Sequence, residues 1–298
     1  MMMVKMNKVE NKIIEDSVIA LKNVKNKIPI TNCITNYITI NDCANAILGI
    51  GGSPIMGDNE EIKDFLEIFD ALVINMGAMA KTQIEAIKIG TTYGAKNDIP
   101  IVLDPVGVGI SKLRNHILLD LINKSKLSVI RGNMSEIKYI SRLVDLDEIK
   151  SSNKSQSKGV DVSKYDEIRK ESLNTNGKIV KSLARDINTV IIASGVIDII
   201  SDGKNTYVCE NGDPMLPKIV GSGCMLTSIV GSFCGANDPL IGGIAATITM
   251  GVAGGEAGKI VREKNSGTGT FRVKLIDFLS KMNETLFLKE AKLYKIKI

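Results

Sequence analysis

Short, wholly apolar runs alternate with longer amphipathic ones along much of the chain, and this alternation leaves few folds open to it. Ala71-Leu72-Val73-Ile74-Asn75 reads as a strand, and Ala80 to Ala95 as the helix that follows it. Ile99 to Asp104 is the next strand, with a helix from about Ser111 to Lys124; Ser128 to Arg131 and Met134 to Arg142 repeat the pair. A strand without polar alternation has no face to give to water, so it belongs in a sheet covered by helices on both sides. The expected class is α/β, with a largely parallel central sheet.

The rhythm breaks after Leu143. Ser151 to Gly159 is polar and reads as a loop inside an insertion-like segment, 143–175. The pattern resumes with a helix near Gly177 to Asp186 and a strand, Thr189 to Ala193. A hairpin follows, Val196 to Ser201 and Asn205 to Cys209, turned by Asp202-Gly203-Lys204. Three helices close the chain, starting near Gly223, Pro239 and Thr270. No linker is long enough to force a division, so residues 1–298 are expected to form one domain, with 1–25 as a leading segment and no separate lid.

Composition removes several functions. The 298 residues are 44% hydrophobic and 24% charged, as in a folded domain that needs no metal or disulfide staple. The net charge of +5 comes from scattered lysines, aromatics are 4%, and Trp is absent, so the footprint of a nucleic-acid binder is missing. His116 is the one histidine, which excludes His-rich zinc sites and two-His helix motifs; it reads as part of a surface helix. Five cysteines without a CxxC pair point to reduced thiols and a cytoplasmic protein. Met1 to Glu10 lacks the apolar core of a secretory leader. Ile219–Asn237 and Pro239–Gly255 approach the ~20 residues that span a bilayer. Their Gly, Ala, Ser and Thr content fits buried core helices better, so no membrane is expected as a partner.

In open α/β sheets ligands bind beyond the carboxyl ends of the strands. Asp104 closes a strand before the flexible turn Pro105 to Gly109; it is either a ligand on the Mg²⁺ side or a helix cap. Arg131 ends the next strand with a fork of donors suited to phosphate oxygens. Glu136 has two readings: a second metal-side carboxylate, or the third residue of a capping box begun by Asn133. Gly221-Ser222-Gly223-Cys224 opens an uncharged helix, where glycines and free N–H groups make a cradle for a phosphoryl group. No Lys-Ser/Thr follows it, so it is not a Walker loop. Cys224 is either a thiol of lowered pKa at a helix start or a small packed residue.

These residues stand in a longer ordered series: Cys33 to Tyr37, Thr39 to Ala46, Gly52 to Met56, Asn75-Met76-Gly77, Leu103 to Gly109, Arg131 to Ile137, Gly159-Val160-Asp161 and Gly221 to Leu226. From about residue 30 to residue 280 the series resembles the hydroxyethylthiazole kinases of the ribokinase-like superfamily. The resemblance implies a ribokinase-like fold, and transfer of the ATP γ-phosphoryl group to the primary hydroxyl of 4-methyl-5-(2-hydroxyethyl)thiazole in thiamine biosynthesis. It also implies a homotrimer with the thiazole near subunit interfaces. By position, Met56, Gly221 and Gly223 meet the thiazole alcohol, and Ser222 belongs to the same anion loop. Arg131 and Ser194 contact ATP phosphates, Asp104 and Glu136 lie on the Mg²⁺ side, and Cys224 stands where most superfamily kinases carry an aspartate base. The loop departs from the family's Thr-Gly-Thr-Gly-Cys through Val220 and Ser222, and Ser194 replaces a Thr. A related ADP-dependent dehydratase of hydrated nicotinamide cofactors would carry Asp where Cys224 stands. A non-catalytic thiazole or nucleotide sensor would not need Asp104 and Glu136.

Overall fold

The computed structural model describes residues 8–144 and 168–298. Its strands are β1 (Ile30–Ile34), β2 (Ser53–Ile55), β3 (Ala71–Asn75), β4 (Ile101–Asp104), β5 (Val129–Asn133), β6 (Val190–Ser194), β7 (Asp198–Ser201), β8 (Thr206–Cys209) and β9 (Leu293–Ile296). They form one mixed sheet in the order β2-β1-β3-β4-β5-β6-β7-β8-β9. β2 through β6 pair in parallel, and β7, β8 and β9 extend the sheet antiparallel.

The apolar strands are buried on both faces, as their lack of alternation requires. In β3, Val73 enters one core while Leu72 and Ile74 enter the other. The first core is closed by α1 (Lys8–Lys27), α2 (Ile40–Ile50), α7 (Ser222–Ala236), α8 (Pro239–Glu263), α9 (Thr268–Ser280) and α10 (Glu284–Glu290). The second is closed by a 3₁₀ segment, Glu60–Ile68, with α3 (Lys81–Lys96), α4 (Lys112–Lys124), α5 (Met134–Leu143) and α6 (Leu173–Asp186).

Local chemistry explains where the helices begin. Asp238 caps α8, accepting from the Leu240 and Ile241 N–H groups at 2.9 and 3.4 Å, and Pro239 opens it, where a missing N–H costs nothing. Both uncharged segments are core helices. α8 alone among the described helices has the length and hydropathy to cross a membrane, and most of it is buried in the protein. Two hydroxyls on α7 are satisfied at the sheet: Ser232 Oγ lies 2.8 Å from Thr31 Oγ1, and Thr227 Oγ1 donates to Asp104 Oδ2 at 2.8 Å.

The expected strands and helices from residue 71 onward are present, within a few residues at their ends. The leading segment adds to expectation: Lys8–Lys27 is a helix with Ile14, Val18, Leu21 and Val24 buried. The chain also ends with a short helix and a ninth strand that its pattern did not signal. The expected Ser151–Gly159 loop and the Gly159-Val160-Asp161 match lie outside the described residues, as does most of 143–175.

Candidate active site

The parallel register lines up polar strand ends. Asn75, the last residue of β3, is opposite Asp104, the last of β4; Asn133 of β5 is opposite Ser194 of β6. The chain leaves β8, which runs parallel to β6, at this same edge. It passes a 3₁₀ turn, Leu216–Lys218, and enters α7 at the glycine loop. The first turn of α7 therefore points its free N–H groups over the ends of the strands.

Gly221 caps α7 in the left-handed region, at φ 87°. A Cβ there would also lie 2.6 Å from Thr39 Cγ2, so glycine is needed for both backbone and contact. At Gly223 a Cβ would come within 2.7 Å of Arg131 Nη1. That is the far end of a flexible side chain, so here the absent Cβ serves mainly to admit the guanidinium.

Arg131 connects the parts. Its Nε donates to Ser194 Oγ at 3.0 Å, and its Nη1 lies 3.7 Å from Asp104 Oδ2. Asp104 is 1% exposed and accepts on Oδ2 from Thr227 Oγ1 at 2.8 Å and Asn75 Nδ2 at 3.0 Å. Burial pushes its carboxyl up, against the pull of Arg131 and the two donors. Glu136 is also buried, and burial together with the nearby Asp104 charge pushes it up to about 7.

The capping-box reading of Glu136 is realised. Its Oε2 accepts from the Asn133 N–H at 2.8 Å, while Asn133 Oδ1 accepts from the Glu136 N–H at 2.9 Å, which completes the capping box. Its Oε1 accepts from Gly107 N at 3.3 Å, so it also anchors the turn after Asp104.

Cys224 is half-buried in the first turn of α7. Of the two readings of Cys224, the lowered-pKa one is opposed: burial, then the Asp104 charge, push the thiol up, and Thr39, Arg131 and Asn36 only partly counter this.

The structure thus brings together Asp104, Arg131, Glu136, Ser194, Gly223 and Cys224, with Gly221 and Ser222 forming the entry to the same helix. Met56 follows the edge strand β2 and packs, half-buried, against the first core. Its neighbour Gly57 is clasped to β1 by Asn32, with bonds of 3.0 and 3.2 Å.

Four residues in this cluster had no role assigned from the sequence: Asn36, Asn75, Thr227 and Asp198. Asn75 had a signal, a polar residue closing an otherwise apolar strand, and Thr227 is one helical turn beyond Gly223. Asp198 had none. It opens β7, accepts from the Gly195 N–H at 3.0 Å, and burial pushes it up to about 7 near Arg131.

A family model described as the hydroxyethylthiazole kinase family matches residues 21–285. The chain belongs to the hydroxyethylthiazole kinase family. Hydroxyethylthiazole kinase 2 of Methanosphaera stadtmanae is 48% identical over 277 residues, covering 93% of this chain and 97% of that one. The hydroxyethylthiazole kinase of Methanobrevibacter smithii is 51% identical over 264 residues, covering 88% and 91%. The solved hydroxyethylthiazole kinase of Pyrococcus horikoshii superposes with a TM-score of 0.80 at 30% identity, covering 95% of this chain and all of that one. An ADP/ATP-dependent NAD(P)H-hydrate dehydratase from Bacillus subtilis superposes at 0.52 with 13% identity, covering 86% and 89%, which is a likeness of fold alone. The family's fold is ribokinase-like, and the chain has it.

Proposed function

We propose that the chain phosphorylates the primary hydroxyl of 4-methyl-5-(2-hydroxyethyl)thiazole with ATP, using one domain, residues 1–298. The observation that carries this is one polar cluster at the N-terminus of α7, in which buried Asp104 and half-buried Cys224 share the Asn75 amide and Arg131 pairs with Asp104 at 3.7 Å. Family membership over nearly the whole chain supports the same reading. The dehydratase alternative has only a shared fold in its favour, and Cys224 stands where that enzyme would be expected to carry Asp.

The site residues then take these roles. The backbone donors of Gly221, Ser222, Gly223 and Cys224 receive the transferring phosphoryl group. Arg131, steadied by Ser194, neutralises the nucleotide phosphates. Gly221, Gly223 and Met56 bound the thiazole alcohol. The hydroxyl oxygen forms a bond to the γ-phosphorus as the bond to the bridging oxygen of ADP breaks, and the hydroxyl proton passes to water or, where Cys224 is a thiolate, to its Sγ. Because the thiol is pushed up, it is protonated for most of the time at neutral pH. Orientation and the loop's donors therefore supply most of the catalysis, with Cys224 a modest contributor.

The residues also fit Mg²⁺. Asp104 and Glu136 are two buried oxygen donors whose mutual repulsion a cation would relieve. Such an ion is held through one or two carboxylates, water and substrate phosphates. When bound, Mg²⁺ would neutralise phosphate charge. A cytoplasmic homotrimer completes the proposal. Tyr37, Ile38 and Val220 are large, exposed and apolar, and the Thr39–Gly221 contact brings their two loops together, as a subunit contact near the site would need.

The deciding measurement is ADP release from MgATP with and without the thiazole alcohol. Release that depends on the alcohol is expected; release indifferent to it removes the kinase reading. Turnover by Cys224→Ala is expected to fall by about ten-fold rather than vanish, a loss at or below the usual contribution of a general base.

A further inference from the structure

The orientation of two buried amides is forced, and together they determine what Cys224 can do. Gly77 N–H lies 2.9 Å from Asn75 Oδ1, and a backbone N–H can only donate, so that atom is the amide oxygen. The opposite atom, Nδ2, then faces Asp104 Oδ2 at 3.0 Å and Cys224 Sγ at 3.3 Å, and its two hydrogens serve the two acceptors. Asn36 is fixed in the same way. Its Oδ1 accepts from the Thr39 N–H at 3.2 Å, so its Nδ2 faces Asn75 Oδ1 at 3.2 Å and Cys224 Sγ at 3.5 Å. The sulfur therefore meets two obligate donors and takes the acceptor's part toward both.

Asn75 is 2% exposed, and all four of its hydrogen-bonding positions are used. Burying an amide is unfavourable unless every bond is made. The Asn75 oxygen holds the Gly77 turn and Asn36, while its nitrogen runs to the two groups flanking the transfer. The remaining charged groups facing the sulfur are Asp104 itself and Arg131; the Cys43 thiol lies behind it.

We propose that Asn75 is a positioning residue of the phosphoryl transfer. Its single amide nitrogen sets the Cys224 sulfur at a fixed place relative to the Asp104 carboxylate, and with Asn36 it holds that sulfur as a hydrogen-bond acceptor. This rests on the reading of Cys224 and Asp104 as flanking the reacting groups.

The test is a double-mutant cycle in steady-state kinetics on the full chain: wild type, Asn75→Ala, Cys224→Ala and the pair, with circular dichroism to confirm folding. Asn75→Ala is expected to lower kcat by up to about ten-fold while KM for the thiazole alcohol stays within about three-fold, because the interaction matters in the transition state. In the Cys224→Ala background the same change is expected to cost less than about three-fold, since residues sharing one network are not additive. Equal losses in both backgrounds, or a change confined to KM, would overturn the inference. Wild type lacking alcohol-dependent ADP release would overturn the kinase reading beneath it, which separates the two failures. If Asn75→Ala does not fold, Asn36→Ala takes its place; it removes one donor to the sulfur and none to Asp104. A kcat loss that disappears in the Cys224→Ala background supports the inference, and one that persists sinks it.

Discussion

Two buried polar clusters occupy opposite edges of the sheet, and they differ in where their members come from. At the turn of the β7–β8 hairpin, Ser201 Oγ donates to Asn205 O at 2.7 Å, accepts from Gly203 N at 3.1 Å, and lies 3.1 Å from Thr206 Oγ1. All these partners are within five residues of one another, and none is charged. At the other edge, Asn75 bonds across 149 residues to Cys224, Thr227 across 123 to Asp104, and Arg131 across 63 to Ser194. That cluster includes buried carboxyls pushed up toward neutrality. A local, neutral and satisfied cluster stabilises a turn. One collected from distant segments with charged members costs free energy to bury, and such sites concentrate where chemistry needs them.

Three perturbations test this contrast. The largest effect is expected for Arg131→Ala, which removes the cation bridging Asp104 and Ser194. kcat should fall about 10²–10³-fold, the usual loss for one preorganised charge-stabilising donor. A loss below ten-fold would mean that Arg131 serves only to neutralise Asp104.

Next in size is the pH dependence of stability. Asp198 and Glu136 are each pushed up to about 7, well above an unfolded carboxyl. The folded state therefore holds protons that the unfolded state has released. The stability this gives is complete below the unfolded pKa values and is lost as pH rises through about 7. For each carboxyl the loss is at most about 1.4 kcal/mol for every pH unit crossed. Thermal unfolding of the ligand-free protein should show Asp198→Asn losing less stability than wild type between pH 5 and pH 8, while Glu136 keeps its share. Parallel curves would show Asp198 ionised throughout.

The smallest effect belongs to the hairpin edge. Ser201→Ala should cost about 1–2 kcal/mol by leaving the Gly203 N–H unpaired, seen in denaturant unfolding, with kcat unchanged within about two-fold. A larger change in kcat would show that the two edges are coupled.

Much of this contrast is legible in the chain before it folds. Asp104, Arg131 and the Gly221–Cys224 loop stand out because polar or glycine residues interrupt apolar strands and begin an uncharged helix. Asn75 closes its strand in the same manner but reads as ordinary until its register opposite Asp104 is known. Asp198 could not be found, because its place at the site depends on β7 running antiparallel. That direction alone brings the first residue of β7, rather than its last, to the carboxyl edge of β6.

The layered α/β architecture follows from residue order, since wholly apolar strands must be covered on both faces. Residue order likewise puts Gly221-Ser222-Gly223-Cys224 at the start of a helix, where free N–H groups attract anions. The state of Cys224 does not follow from it and depends on the assembled fold. Helix position by itself favours a thiolate, whereas burial and the Asp104 charge push the thiol up. Electrostatic work depends on dielectric and distance, and a chain has neither until it is folded.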